Sequence, residues 1–305
     1  MIDLEQYATH VAKSKPVTWI GGQPWRVARR ILEPIAMPHA LGPVDRAEVR
    51  AAMRQYKAPI ARWTDAWDTD PCEWWWVCCA NPHYDLDKLD KRGRRDVRAG
   101  LRRCHVKRVD AEWVSQYGYD VFAAAYDRYE GESQPPIPER FASNIRRLAD
   151  LPPYEWWACW AGDDLAAIAI CIVLQNAVNL STLKSHPAYL KAMPNNALIY
   201  TLTQYYLTER SASYVTDGSR TLLHETQFQD FLERRLGYRR VYCPLRAELS
   251  VSASLALKTG AHRWGRYVGL SQVAPGAMAK LQATARLAGI ARACKPRAPG
   301  NEPAG

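Results

Sequence analysis

Glu155-Trp156-Trp157-Ala158-Cys159-Trp160-Ala161 stops at Gly162-Asp163-Asp164, and Leu165 to Leu174 follows as an unbroken run of Leu, Ala, Ile, Cys and Val. The first segment is a short apolar strand closed by a turn. The second has the pattern of a strand buried on both faces. Asn179-Leu180-Ser181-Thr182-Leu183-Lys184 is a third strand, and it runs into the irregular Ser185 to Pro194. There the period changes. Leu198, Leu202 and Tyr206, with Ile199 and Tyr205 beside them, recur at helical spacing, and Pro194-Asn195 suits a helix start. Ser213-Tyr214-Val215-Thr216-Asp217-Gly218 returns to strand character. Phe228, Phe231, Leu232 and Leu236 mark one face of a second helix, with Thr226 and Gln229 spaced as a capping box and Gly237 at the C-terminal stop. Arg240 to Leu245 closes as another strand. The order is β-β-β-α-β-α-β with helices as crossovers, which predicts an α/β fold built on a mixed sheet.

That order resembles the acyltransferase half of the GNAT superfamily, and more closely its FemABX-like branch. Members of that branch share a strand ending in an Asp-Gly or Gly-Gly turn, then a helix bearing Phe-Lys and an aromatic-Gly step. The matching residues are Asp217-Gly218-Ser219 and Phe231-Leu232-Glu233-Arg234-Arg235-Leu236-Gly237-Tyr238. An Arg-rich helix of the branch is matched by Leu89-Asp90-Lys91-Arg92-Gly93-Arg94-Arg95-Asp96-Val97-Arg98. The resemblance covers roughly Trp74 to Arg246. It implies that Asn179–Lys184 and Ser213–Gly218 are adjacent and parallel and part at their C-terminal ends, with the acyl arm of a donor held in the gap. It also implies a donor, acyl-CoA or aminoacyl-tRNA, and an acceptor that is a small-molecule or peptide amine, such as an amino sugar or cell-envelope precursor. FemABX-like proteins contain two related GNAT-type halves. The opening Glu73-Trp74-Trp75 echoes Glu155-Trp156-Trp157, either as a degenerate duplication or as a coincidence of Trp-rich composition.

With 305 residues, 48% hydrophobic and 24% charged, the chain has the composition of a globular protein with a sizeable core. The longest apolar run, Leu165 to Leu174, is half of the ~20 residues a membrane span needs. Met1 to Lys15 carries Asp3, Glu5 and His10 among scattered apolar residues, unlike a signal peptide, so the cytoplasm is the expected compartment. No CxxC pair occurs among the eight cysteines, which are expected to be buried thiols, and no metal is expected. The expected division is 1–150 as a GNAT-like or accessory region, 151–270 as the acyltransferase domain, and 271–305 as a helix with a disordered tail.

The first region opens with a helix within Met1 to Pro16 and irregular strands over Val17 to Met37. A helix follows over Asp45 to Tyr56, with Asp45 as cap, and Ala111 to Leu148 is largely helical with a loop at 131–138. The most charged element is a helix over 86–104. Lys91, Arg95, Arg98 and Arg102 fall on one of its faces, and Val97, Leu101 and Cys104 on another. A solvated surface and an anion-binding face both fit that stripe. The whole chain carries a net charge of +10, much of it concentrated here.

Acyl transfer needs a seat for the donor, polarisation of its carbonyl, and proton handling for the attacking amine. The catalytic candidates are Asp217, Ser219 and His224; Asp217 and Ser219 also suit an Asx turn or helix cap, and His224 a solvated loop. For donor and substrate binding the candidates are Lys184, Tyr189, Asn195, Arg220 and Arg234, with Lys91, Arg95, Arg98 and Arg102 on the basic helix. The resemblance has two departures. Ser185 to Asn196 contains no glycine, unlike the phosphate loop of CoA-dependent members, and Pro194 offers no N–H. The lysine of the Phe-Lys step is Leu232. A catalytically silent module that binds RNA or another polyanion through Lys91–Arg108 is the alternative function.

Overall fold

The computed structural model describes residues 4–28, 30–128, 134–149, 151, 153–220, 227–260 and 275–294. The chain forms two compact units, each assembled from separated segments. The first comprises Met1–Tyr7, Val77–Gly218 and Thr226–Arg240; the second comprises Ala8–Trp76, Ser219–Glu225 and Val241–Gly305. The expected cut at residue 150 falls inside the first unit. The reason is strand pairing: β6 (Cys104–Val109) lies antiparallel to β7 (Tyr154–Ala161), so the strand that follows the basic helix shares a sheet with the strands after residue 150.

That sheet has seven strands in the order β11-β5-β10-β9-β8-β7-β6, with β5 at Trp75–Cys79, β8 at Asp164–Leu174, β9 at Ala177–Ser185, β10 at Tyr214–Ser219 and β11 at Arg239–Tyr242. β7, β8 and β9 form an antiparallel meander. Ala166 to Cys171 are buried on both faces of the sheet, as the unbroken apolar run requires. Alternation along β7 separates two helical layers. Trp156 joins the core beneath α4 (Ala111–Tyr117), α5 (Tyr119–Ala124) and α6 (Pro138–Ala149). Trp157 faces the other way and donates from Nε1 to Tyr206 Oη at 2.9 Å. The other layer holds α3 (Lys91–Arg103), α7 (Pro194–Gln204, continued by a π turn at Tyr205–Glu209) and α8 (Gln227–Leu236).

Several helices begin where an aspartate caps them. Asp45 accepts from Ala47 N at the start of α2 (Arg46–Gln55), Asp90 from Gly93 N in α3, and Asp110 from Trp113 N in α4. The expected helix over 86–104 therefore starts at Lys91; Asp85 instead caps a short 3-10 turn at Leu86–Lys88. Its packing face also differs. Gly93, Val97 and Gly100 are buried, whereas Leu101 is 38% exposed. Close helix approach explains this: a Cβ on Gly93 would collide with Arg235 O of α8, and one on Gly100 would lie 2.8 Å from Met193 O at the start of α7.

The second unit holds a five-stranded sheet in the order β1-β2-β3-β4-β12, comprising Val17–Ile20, Gln23–Ala28, Ile31–Pro34, Ile60–Thr64 and Leu245–Leu249. α2 covers one face through Val49 and Met53; the other face meets Leu287, Ile290 and Ala291 of α10 (Pro275–Ala293). A short helix, α9 (Val251–Lys258), follows β12. The closing strand expected over Arg240–Leu245 is two strands, β11 and β12, in different sheets. Cys243-Pro244 separates them, and Pro244 has no N–H to donate to a ladder.

Both units contain a β-β-β-α-β run in which an antiparallel meander ends in a parallel pair joined through a helix. In the first unit the run is β7-β8-β9-α7-β10, and in the second β1-β2-β3-α2-β4. The Glu73-Trp74-Trp75 echo does not mark it, because β5 is neither the start of a meander nor the counterpart of β7. Among the described residues no helix is long and apolar enough to cross a membrane, all eight cysteines are free, and no cluster of His, Cys, Asp and Glu is arranged to hold a metal ion.

Candidate active site at the parted strands

β9 and β10 are parallel neighbours, paired as Tyr214–Ala177, Val215–Val178 and Thr216–Asn179. The ladder stops there, yet β9 runs on to Ser185 and β10 to Ser219. Two local features explain the parting. On β9, Ser181 is an extra residue: Ile170 pairs with Thr182 and Cys171 with Leu180, a bulge that bends the strand. On β10, the buried Thr216 donates from Oγ1 to Val77 O at 2.8 Å, fastening this strand to β5 on its other side. Thr216 Oγ1 also accepts from Gly218 N at 2.9 Å, which holds Gly218 at φ +97°, a conformation that favours glycine.

Asp217 stands at this end of β10. Desolvation raises its carboxyl pKa to about 7, against a lowering effect from Gln229, whose Nε2 donates to Oδ2 at 3.4 Å. Behind it lies a buried wall of phenols. Thr203 donates to Ile199 O at 2.7 Å, so it is free to accept from Tyr238 Oη, also at 2.7 Å. Tyr84 donates to Leu236 O at 2.9 Å. Burial raises the pKa of both phenols, and nearby titratable groups, Asp217 among those acting on Tyr238, push in the same direction, opposed at Tyr238 only by its bond to Thr203. The wall therefore stays protonated and uncharged while Asp217 titrates near neutrality. A carboxyl with that pKa beside a strand edge that has lost its ladder can exchange a proton with an amine.

The other candidates divide. Ser185 Oγ donates to Asn195 Oδ1, and His186, Tyr189 and Asn195 gather at the C-terminal end of β9. His186 Nδ1 accepts from Ala188 N, and the Tyr189 phenol pKa is raised by desolvation first and then by its bond to Asp164. Lys184 is turned toward the opposite layer. It is paired with Ile168 of the α4–α6 core, and its Nζ sits 5.0 Å from the Tyr126 ring centre, whereas Asp217 faces α8. Ser219 and Arg220 belong to the second unit. There Ser219 lines a cavity with Trp74 and Trp76, and Arg220 bonds to Glu73 and lies 4.4 Å over Trp75. Arg234 is 74% exposed and, among the described residues, its side chain pairs with Asp230 alone, at 4.0 Å; its neighbour Arg235 is the one that docks on α3, near Asp90 and Asp96. His224 lies outside the described residues.

Lys91, Arg95, Arg98 and Arg102 are exposed on one stripe of α3. Arg95 pairs with Asp96, while Lys91, Arg98 and Arg102 have no bonded partner among the described residues. The start of α7 is closed to a phosphate. Asn196 N and Ala197 N both donate to Met193 O, Pro194 has no N–H, and Gly100 of α3 packs against this turn. Sequence reading missed the roles of Thr203, Tyr84 and Tyr238. Thr203 sits in the apolar periodic run of α7, Tyr238 follows Gly237 in the aromatic-Gly step, and Tyr84 lies in a polar loop, and none of these settings says what the hydroxyl will face.

No family model matches the chain, and no curated protein matches it by sequence. Solved structures do. FemX is similar at a TM-score of 0.52 with 12% identity, over 79% of this chain and 94% of its own. L-PGS from Bacillus licheniformis is similar at 0.52 with 14% identity, over 84% and 96%. A DUF2156 domain from Agrobacterium fabrum is similar at 0.50 with 12% identity, over 83% and 91%. The chain thus has a mixed α/β, GNAT-like fold of the kind seen in these proteins.

Proposed function

We propose that the chain is an N-acyltransferase that moves an acyl or aminoacyl group from a CoA or tRNA carrier to an amine of a small molecule or peptide, such as a cell-envelope precursor. The observation that carries this reading is Asp217, whose carboxyl pKa is raised to about 7 where two parallel strands part. The amine arrives as ammonium and gives one proton to the Asp217 carboxylate. Its freed lone pair attacks the acyl carbonyl, whose oxyanion is stabilised by backbone N–H groups on the unpaired edge of β9. The C–N bond forms, the nitrogen loses its second proton, and the bond to the carrier breaks. The carrier leaves with the electron pair and takes up that second proton, and the proton held by Asp217 returns to solvent.

The closed start of α7 favours a carrier other than CoA, and the basic stripe of α3 favours a polyanionic one, so charged tRNA is the donor to test first. Replacing Arg98 and Arg102 with Ala should lower the slope of log affinity against log salt for tRNA by about 1.5, with little change in melting temperature. An unchanged slope would remove α3 from donor binding. Transfer itself is tested with labelled aminoacyl-tRNA and labelled acetyl-CoA against a pool of amine acceptors. Label reaching an amine supports the reading, and hydrolysis alone contradicts it. For the active carrier, kcat/KM should rise with pH through about 7, because the base is the ionised carboxylate.

A further inference from the structure

The parallel pair of the second unit parts as well. Ile31 pairs with Ile60 and Leu32 with Ala61; beyond them β3 continues as Glu33-Pro34 and β4 as Arg62-Trp63-Thr64. A cavity of about 180 Å³ opens there, and Arg26, Glu33, Arg62, Thr64, Trp74 and Trp76 are among the residues that line it. We propose that this cavity binds a small carboxylate with a flat or apolar body, a site separate from the transfer chemistry.

The charge pattern comes first. Arg26 stands directly across from Glu33 on β2, and Glu33 Oε1 accepts from its Nε and Nη2 at 3.1 and 2.8 Å. Glu33 Oε2 accepts from Nε and Nη2 of Arg62 at the same two distances. Both carboxylate oxygens are thus engaged, each by one guanidinium. Burial alone would raise the Glu33 pKa, but the two guanidinium charges outweigh it and hold the carboxyl below its ordinary range. Glu33 stays ionised near neutral pH, so the three side chains sum to one net positive charge.

Donors come second. The Nη1 groups of Arg26 and Arg62 make no hydrogen bond among the described residues, and each side chain keeps about a third of its surface exposed, 32% and 31%. Trp76 Nε1 is buried without an acceptor. A buried N–H without a partner costs free energy, so a ligand acceptor there would relieve it. The cavity therefore offers donors and a net positive charge, and an anion satisfies both.

The walls narrow the class. Trp74, Trp76 and Leu245 present apolar surface, which a bare hydrated phosphate would leave uncovered. A carboxylate can bridge the outward edges of two guanidinium groups while its body lies on the indoles. About 180 Å³ is roughly six waters' share of the liquid, enough for an acid of benzoate's size and too small for a nucleotide.

The test uses the full chain and three probes: benzoate, its neutral analogue benzamide, and inorganic phosphate, titrated by calorimetry at low salt. Benzoate should bind at least about tenfold more tightly than either of the others. Glu33→Gln removes the shared counter-ion and should tighten benzoate several-fold. Trp76→Phe removes the free N–H and should weaken it several-fold with the circular dichroism spectrum unchanged. Equal binding of benzoate and benzamide, no benzoate binding at 10-fold above the millimolar range (about 10 mM), preference for phosphate, or weaker binding in folded Glu33→Gln would each overturn the proposal. None of these results depends on acyl transfer, so failure here leaves the Asp217 reading untouched.

Discussion

Replacing Asp217 with Asn is expected to lower amine transfer by about 10²-fold or more, the range for a lost general base. The same change should make the protein more stable above neutral pH. The carboxyl pKa is about 7 in the fold against ~3.9 in an unfolded chain, so the folded state holds an extra proton between those values. Stability therefore falls as pH rises through that window, because the parent must ionise a desolvated carboxyl. Asn has nothing to ionise and can still accept from Gln229 Nε2. Parent and variant should melt alike below pH ~4, and the variant should be the more stable at pH 8 by at most about 4 kcal/mol, part of which solvent at this half-buried residue will screen. Urea denaturation of both proteins across pH 4 to 8 reads this out. A residue that served only as a turn or cap would show no lost activity, since Asn caps as well as Asp; a missing pH-dependent gain would mean that the carboxyl is not desolvated.

Gly93→Ala is expected to destabilise the first unit by about 1–3 kcal/mol, even though Ala is the better helix former. The new methyl group would collide with Arg235 O and lie 2.8 Å from Asp90 Oδ1, the atom that caps α3. Neither is the end of a flexible chain, so the helices must separate. Gly289→Ala in α10 is the control. Nothing lies within 4 Å of its Cβ position, and the residue is an exposed position inside a helix, so the substitution should stabilise by about 0.5–1 kcal/mol. Denaturant midpoints of the two variants should move in opposite directions. A gain from both would mean that α3 and α8 do not approach at Gly93.

The fold of the first unit was legible because its signals are local. An unbroken apolar run for β8, a short apolar run closed by Gly162-Asp163-Asp164 for β7, and a change of period at Pro194 each specify an element without reference to the rest of the chain. The end of the chain was harder. Arg240 to Leu245 has one hydrophobic character throughout, and only the missing N–H of Pro244 reveals that two sheets share it. The glycine face of α3 was misread for a related reason: hydrophobic periodicity selects Leu101, but the contact that forms needs no side chain at Gly93 and Gly100. The strand-end Asp-Gly step marks Asp217 as a candidate. Its raised pKa carries no such signal, since it comes from burial, against which Gln229, a residue that sequence spacing assigned to a cap, works.

The most direct test is transfer of a labelled amino acid from charged tRNA, with acetyl-CoA in parallel, to a pool of small amines and peptides, run for the parent and Asp217→Asn between pH 5 and 9. The account predicts label on an amine in the parent, with kcat/KM rising through about pH 7, and about 10²-fold less in the variant at every pH above 7. Transfer by the variant at the parent's rate, or no transfer by the parent from either carrier, would contradict it.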